Sequence, residues 1–287
     1  MFAQRDTCNL YMDIFRPSEG SETTFQGNPK PAVIFVFGGG FIMGERSHSW
    51  YRPWYQILND NGYTVITIDY RLGMKDYKVG KGLSGTLKAS DRFHLSQQVG
   101  VEDVFSAVSF LAENKDSLGI DPYNLVLSGC SAGAIISLAC GYDIARGRTQ
   151  GLPEGFNFKG IMSFAGAIIS TSGAPKFDSL PCPILLLHGT ADKAVAYNSL
   201  AFMGKGLWGS NYLSRKWDQK GFDNYCIYRF TDIGHDVAVY MENLWDVEKE
   251  FLEKNVILGA HRHVDATIED HSLPRRLDVS VDDIYKN

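Results

Sequence analysis

Short apolar runs recur along the chain, each stopped by Gly, Pro, Asn or Asp, and between them apolar residues return at helical spacing. Ala32-Val-Ile-Phe-Val-Phe37 is apolar at every position, the pattern of a strand covered on both faces. The segment 9–15 alternates and stops before Pro17, which predicts an edge strand. Residues 63–68 are β-branched and predict the next strand. Further strands are predicted over 124–128, 159–165, 183–187 and 225–230. Helices are predicted over 50–61, closed by Asn61-Gly62, and over 99–114, where Val101, Val104, Phe105, Val108 and Leu111 form one stripe. Residues 132–145 are apolar nearly all round and predict a buried helix, and 237–253 predict the last one. This alternation predicts the α/β class, with a mostly parallel central sheet and helices on both faces.

Three stretches break the alternation. Residues 73–98 are long, polar and glycine-rich, and 195–223 scatter Phe202, Trp208, Tyr212, Trp217 and Phe222 among glycines and charges. Both read as loops framing a pocket. The expected organisation is one domain over 1–258, a lid or pocket insertion at 195–223, and a polar tail over 259–287 that straps the domain or hangs loose. The tail histidines His261, His263 and His271 could suggest a metal, but no predicted element holds them in geometry. They read as solvated, and no metal is expected.

Composition changes the picture in a few places. The 287 residues are 44% hydrophobic and 21% charged, enough for a large core. A net charge of −5 gives no excess of cations for phosphates, so nucleic acid is not the expected partner. No apolar run approaches the roughly 20 residues of a membrane span. The start Met1-Phe2-Ala3-Gln4-Arg5-Asp6 turns polar at once, and Phe2-Ala3-Gln4 is compatible with the scar of a cleaved leader. An exported location is therefore expected over a cytoplasmic one. Five scattered cysteines, with no C-x-x-C, read as buried free thiols rather than a disulfide framework.

The chemistry concentrates in Gly129-Cys130-Ser131-Ala132-Gly133, between a predicted strand and a buried helix. A serine on such a turn is thrust out with its hydroxyl exposed at a helix N-terminus. It needs a base, and the base needs an acid to orient it. In this arrangement the acid precedes the base in the chain. Asp192 follows the run Ile184-Leu-Leu-Leu-His-Gly-Thr-Ala, and His235 follows the strand at 225–230. Strand C-terminal ends are where open α/β sheets hold their sites. Asp178 is a rival acid, while Asp232 and Asp236 are too close in sequence to His235 to orient it. His188 reads as a structural histidine packed beneath the acid loop. Phe37-Gly38-Gly39-Gly40-Phe41 lets backbone N–H groups turn toward a small site, and with Ala132 could bind an oxyanion. A phosphate cradle is the rival reading, but the loop lacks the Gly-Lys-Ser/Thr ending and G-x-G-x-x-G.

Together these motifs resemble an α/β-hydrolase, in the group of serine esterases with a glycine-rich oxyanion loop (hormone-sensitive-lipase-like and acetyl-esterase-like enzymes). Phe37–Gly44 is similar to that group's loop, Ile68-Asp-Tyr-Arg-Leu72 to the segment after its next strand, Gly129–Gly133 to its elbow, His188–Asp192 to its acid turn and Gly234-His235 to its base. The resemblance covers roughly residues 8–252. It implies a serine carboxylic-ester hydrolase with Ser131 as nucleophile, His235 as base, Asp192 as acid, and Gly39, Gly40 and Ala132 as oxyanion donors, with no cofactor. Phe41, Cys130, Trp208 and Tyr212 are the expected substrate-binding residues. The expected substrate is a small-molecule or oligosaccharide ester, with a leaning toward feruloyl or acetyl groups on plant polysaccharide fragments. A generic short-chain carboxylesterase, an oligopeptidase-like serine peptidase and a catalytically inactive binding protein are the alternatives. The chain departs from the group's pattern at Phe37, where a histidine opens the loop, at Gly73-Met74-Lys75, where a proline and glutamate often stand, and at Cys130, where Asp or Glu is common.

Overall fold

A computed structural model describes residues 1–270, 272–277 and 279–285, and every count below is of these. In chain order the strands that matter are β1 (Met12–Phe15), β2 (Ala32–Val36), β3 (Val65–Ile68), β4 (Leu125–Cys130), β5 (Gly160–Phe164), β6 (Ala167–Ser170), β7 (Ile184–Gly189), β8 (Ser199–Phe202), β9 (Lys205–Gly209), β10 (Tyr225–Phe230) and β11 (Val264–Ile268). The main helices are α1 (Arg52–Asp60), α2 (Gly82–Glu113), α3 (Ala132–Ala145), α4 (Ser210–Gln219), α5 (Trp245–Glu250) and α6 (Val281–Tyr285).

Eight strands form the central sheet in the order β11-β10-β7-β5-β4-β2-β3-β1. All neighbours are parallel except β1, which runs antiparallel on β3. Strands β2, β3, β4, β5 and β7 are buried at every position, as parallel strands covered on two faces must be. From β2 the chain goes first to β3 on one side and then to β4 on the other. The crevice beyond the C-terminal ends of β2 and β4 is therefore the topological switch point, where such sheets bind ligands.

Helices cover both faces. On one, α2 and α3 pack together so closely that Gly100 meets the Ile136 side chain. Gln97 on α2 bonds both the N–H and the C=O of Ile169, pairing with β6 as a strand edge would. On the other face, Trp54 of α1 donates to the buried carboxyl of Glu248 on α5 at 2.6 Å.

Four sequence expectations change. Residues 82–98 are not a loop: they are the first half of the 32-residue helix α2. Gly82 and Gly85 and a polar face hid its periodicity. Residues 195–223 are not irregular: β8 and β9 form an antiparallel hairpin on β6, and α4 follows. Glycines inside β9 obscured its alternation. The helix predicted over 237–253 is instead two 3₁₀ turns, α5 and a π-helical stretch over 251–257. Finally, the polar tail supplies β11, whose inward Val264, Ala266 and Ile268 alternate with Asp265 and Thr267. Asp265 forms a two-pronged pair with Arg229 on β10, which holds this edge strand in register.

All five cysteines are free, four buried and Cys8 exposed. No described helix is long and apolar enough to cross a membrane, and no three His, Cys, Asp or Glu of the described residues are placed to hold a metal. His261 and His263 instead face Asp223 and Asp218, and His271 lies outside the described residues.

Candidate active site

Strand β4 ends at Cys130, and helix α3 begins at Ala132, leaving Ser131 alone to turn the chain. Its φ of 52° and ψ of −119° are strained for a residue with a Cβ, at a cost of about 1–3 kcal/mol. A hydrogen bond from Ser131 N–H to Phe164 O at 2.9 Å helps hold the turn. The strain aims Oγ away from the sheet, toward the loop that follows β10. There His235 Nε2 lies 2.8 Å from Ser131 Oγ, and His235 Nδ1 lies 2.8 Å from Asp192 Oδ2. The structure thus brings together the serine, histidine and aspartate that the sequence singled out. Ser131 and His235 are 8% and 3% exposed, and the Asp192 side chain is fully covered.

Both oxygens of Asp192 are in use. Oδ1 accepts from Ala194 N–H and Val195 N–H at 2.8 and 2.9 Å, while Oδ2 faces His235 and, at 3.4 Å, His188. Burial by itself would raise the carboxyl's pKa. Hydrogen bonds and charge from His188 and His235 outweigh it, and the group is held well below the usual carboxylate range. His188 lies beneath this loop, as read from the sequence: it is fully buried, with Nδ1 2.9 Å from Ser210 Oγ and Nε2 3.2 Å from Val195 O. The rival acids are elsewhere. Asp178 is exposed beside Lys220, and buried Asp236 accepts from the N–H groups of Arg276 and Leu277.

The glycine loop leaves β2 directly across the crevice. Gly39 and Gly40 have φ of 121° and 62°, which a side chain would resist. A Cβ on Gly39 would also stand 2.1 Å from Met43 O. Ala132 opens α3, so its N–H belongs to the first-turn donors without a helical partner. Three phenols grip the loop: Tyr70 donates to Phe37 O at 3.1 Å, Tyr51 Oη accepts from Gly38 N–H at 3.3 Å, and Tyr285 donates to Gly40 O at 2.5 Å. The Asp69-Tyr70-Arg71 segment is itself anchored, by Arg46 on Asp69 and by Arg71 on the buried Asp103. Sequence reasoning missed this support. The motif after β3 located Tyr70 but said nothing of where its hydroxyl goes.

The expected substrate-binding residues are placed less tellingly. Phe41 and Cys130 are buried. The Cys130 thiol sits 3.6 Å from Tyr51 Oη, and burial pushes its pKa up to about 11. Trp208 is 5% exposed and lies in β9 opposite Ile168 of β6. Tyr212 is half-buried on α4 beneath the Lys216 ammonium. Neither ring has a hydrogen bond or ring contact with Ser131, His235 or Asp192 among those described. A cavity of about 410 Å³ is walled by Trp50, Tyr51, Val239, Met241, Arg276 and Leu277 among others; of these, Tyr51 reaches the glycine loop through Gly38 N–H. A second, of about 520 Å³, opens between α2, the far end of α3 and β6, away from Ser131.

The chain is similar to known proteins. Esterase 2 of Thermogutta terrifontis superposes with a TM-score of 0.58 at 18% identity, over 88% of this chain and 92% of that one, a likeness that shows the α/β-hydrolase fold. A chlorogenic acid esterase of Aspergillus niger is 28% identical over 166 residues, 58% of this chain and 27% of that protein. Esterase E4 of Myzus persicae is 27% identical over 126 residues, 44% of this chain and 20% of that protein. The match therefore spans about a quarter or less of these relatives' length. Residues 3–147, which include the glycine loop and the serine turn, match the model of the carboxylesterase family. The chain belongs to the carboxylesterase family.

Proposed function

We propose that the protein is a serine carboxylic-ester hydrolase working through Ser131, His235 and Asp192. The observation that carries this reading is the unbroken relay of two 2.8 Å contacts from Ser131 Oγ through the His235 ring to an ionised, fully covered Asp192. Ser131 Oγ attacks the ester carbonyl carbon as its proton passes to His235 Nε2. The N–H groups of Gly39, Gly40 and Ala132 take the charge that develops on the carbonyl oxygen. The tetrahedral centre collapses, His235 returns the proton to the leaving alkoxide, and the alcohol departs from an acyl-serine. Water then attacks this ester, losing a proton to His235, and collapse restores Ser131 Oγ–H and frees the acid. Asp192 orients the imidazole and balances its charge in both halves.

The finer reading is removal of feruloyl or acetyl groups from plant polysaccharide fragments. The likeness to a chlorogenic acid esterase supports it. A second reading, a generic short-chain carboxylesterase, is favoured by Trp208, which is packed in a hairpin rather than free to line an aryl pocket. A hydrolysis panel of acetyl, butyryl and feruloyl esters separates the two, since feruloyl turnover below butyryl turnover favours the second. For the reaction itself, a fluorophosphonate should add one phosphonyl group at Ser131. Ser131→Ala should lose at least about 10⁴-fold in kcat with an unchanged fold. Near-wild-type hydrolysis by that variant would overturn the assignment.

A further inference from the structure

Residues 272–277 and 279–285, part of the 259–287 stretch read from sequence as a polar tail, lie against the loops that carry the candidate site. Pro274 O accepts from Tyr240, and Asp232 O accepts from Arg275. Asp236, next to His235, takes the N–H groups of Arg276 and Leu277. Val281 N–H donates to Lys193 O, next to Asp192. The path ends on the glycine loop, where a Cβ on Gly40 would stand 2.8 Å from Ile284 and 3.0 Å from the Tyr285 hydroxyl. Tyr285 is half-buried and meets Phe93 of α2 edge to face at 4.9 Å. Burial raises its pKa, so the phenol keeps its proton and donates to Gly40 O.

That bond bears on geometry. In the glycine loop, Gly39 O accepts from Ile42 and Met43, while Tyr285 is the donor described for Gly40 O. The bonds to Gly39 O hold the Gly39–Gly40 peptide plane; the next plane, Gly40–Phe41, follows a glycine at φ 62° with no Cβ to restrict it, and is soft unless its carbonyl is held. Tyr70 and Tyr51 hold the beginning of the loop, and Tyr285 holds its far end.

We infer that Tyr285 is a positioning residue for the reaction: by fixing the Gly40–Phe41 peptide it restrains rotation at Gly40 and so steadies the glycine turn that presents the Gly39 and Gly40 N–H groups to the developing oxyanion. This rests on the esterase reading proposed above. An aimed donor acts on the transition state more than on the bound ester. Tyr285→Phe keeps the ring against Gly40 and Phe93 and removes only the donor, leaving a carbonyl without its partner. The expected result is a fall in kcat of about tenfold, which is about 1.4 kcal/mol of barrier. KM and Tm should be nearly unchanged, and the fall should be equal for acetyl and butyryl esters because the oxyanion is common to both. Hydrogen exchange of residues 38–44 reads the brace with no substrate present, and should be faster in Tyr285→Phe than in the wild type. A kcat within twofold of wild type, a fall explained by lost folded protein, or unchanged exchange over 38–44 would overturn the inference. Failure of the esterase reading would show separately, in the labelling of Ser131 and the activity of Ser131→Ala.

Discussion

Residues 32–147 hold Ser131 and the glycine loop through covered strands and one buried helix, whereas residues 184–285 hold Asp192 and His235 through hydrogen bonds between loops. In the first region β2 and β4 are neighbours in the sheet, and α3 presses so tightly on β2 that only glycine fits at 133. In the second, the Asp192 loop rests on His188, His188 on Ser210 and Val195, and the His235 loop on Arg276 and Leu277. Close packing fixes a position by exclusion and leaves few alternatives. A hydrogen-bond network fixes it by direction, and depends on every partner being satisfied. The family match at residues 3–147 falls on the packed region, the part whose form is dictated by sterics.

Breaking one member of each region should therefore look different. The largest effect is expected at Asp192. Its two oxygens both accept hydrogen bonds, while an asparagine offers one oxygen and one NH₂. Either the Ala194 and Val195 amides or the His235 N–H must then face a donor. Asp192→Asn should lower kcat by about 10³–10⁴-fold with a folded protein, since the imidazole loses its orientation. Steady-state kinetics beside a circular dichroism spectrum checks this, and a loss under tenfold would contradict the directional account of this region.

In the packed region the same kind of change should cost the fold instead. A Cβ at Gly133 would stand 2.0 Å from Val36 O and 2.6 Å from Phe37 O, both backbone atoms of β2 and the glycine loop. Neither can swing away as a side-chain end would. Gly133→Ala should cost about 3 kcal/mol or more in stability, read as a lower urea midpoint or as insoluble protein. A stable, folded variant would mean that α3 is not seated as tightly as described.

How much was legible follows the same division. Strands buried on both faces carry their signature in every residue, so β2, β4 and β7 could be read directly from runs such as Ala32–Val36. The relay residues were legible because Ser131 and Asp192 each follow such a strand and His235 follows β10, buried at all but Arg229. The first half of α2 was not, because Gly82 and Gly85 lower helix propensity and its burial is sparse. Strand β11 alternates regularly, but its reason for being a strand is Arg229, 36 positions away. Tyr285 is 245 positions from Gly40, and nothing local in either segment announces the contact. Sequence pattern reports what a residue needs buried, and long-range hydrogen bonds between polar loops leave no such trace.

Ser210 tests the network at a more modest level. Its hydroxyl lies 2.9 Å from His188 Nδ1 and 3.2 Å from Gly166 O, and Ser210→Ala leaves the buried imidazole nitrogen without that partner. The expected cost is about 1–2 kcal/mol of stability, with a several-fold fall in kcat as the acid loop loosens. Thermal denaturation and kinetics on the same sample check the pairing. A stability loss with kcat untouched would separate His188 from the acid's positioning.

The smallest effect concerns one of the bonds that join the two regions away from the site, Trp54 to Glu248, 194 positions apart. Glu248 is fully buried, its Oε2 accepts from Trp54 and its Oε1 has no partner. Burial raises its pKa well above the ordinary 4.5, and the Trp54 bond only partly opposes this. Above pH 4.5 the unfolded chain therefore loses a proton that the folded protein keeps. The folded state binds more protons there, so stability falls as pH rises, until the folded pKa is passed. Glutamine keeps an acceptor for Trp54 and carries no charge to desolvate. Glu248→Gln should match the wild type near pH 4 and exceed it by about 1 kcal/mol at pH 5.5, since each pH unit in that window is worth up to about 1.4 kcal/mol. Urea denaturation across pH 4 to 7 gives the two curves. Parallel curves would show that Glu248 titrates alike in the folded and unfolded chains, and that the link between the packed and the hydrogen-bonded regions is not a neutral one.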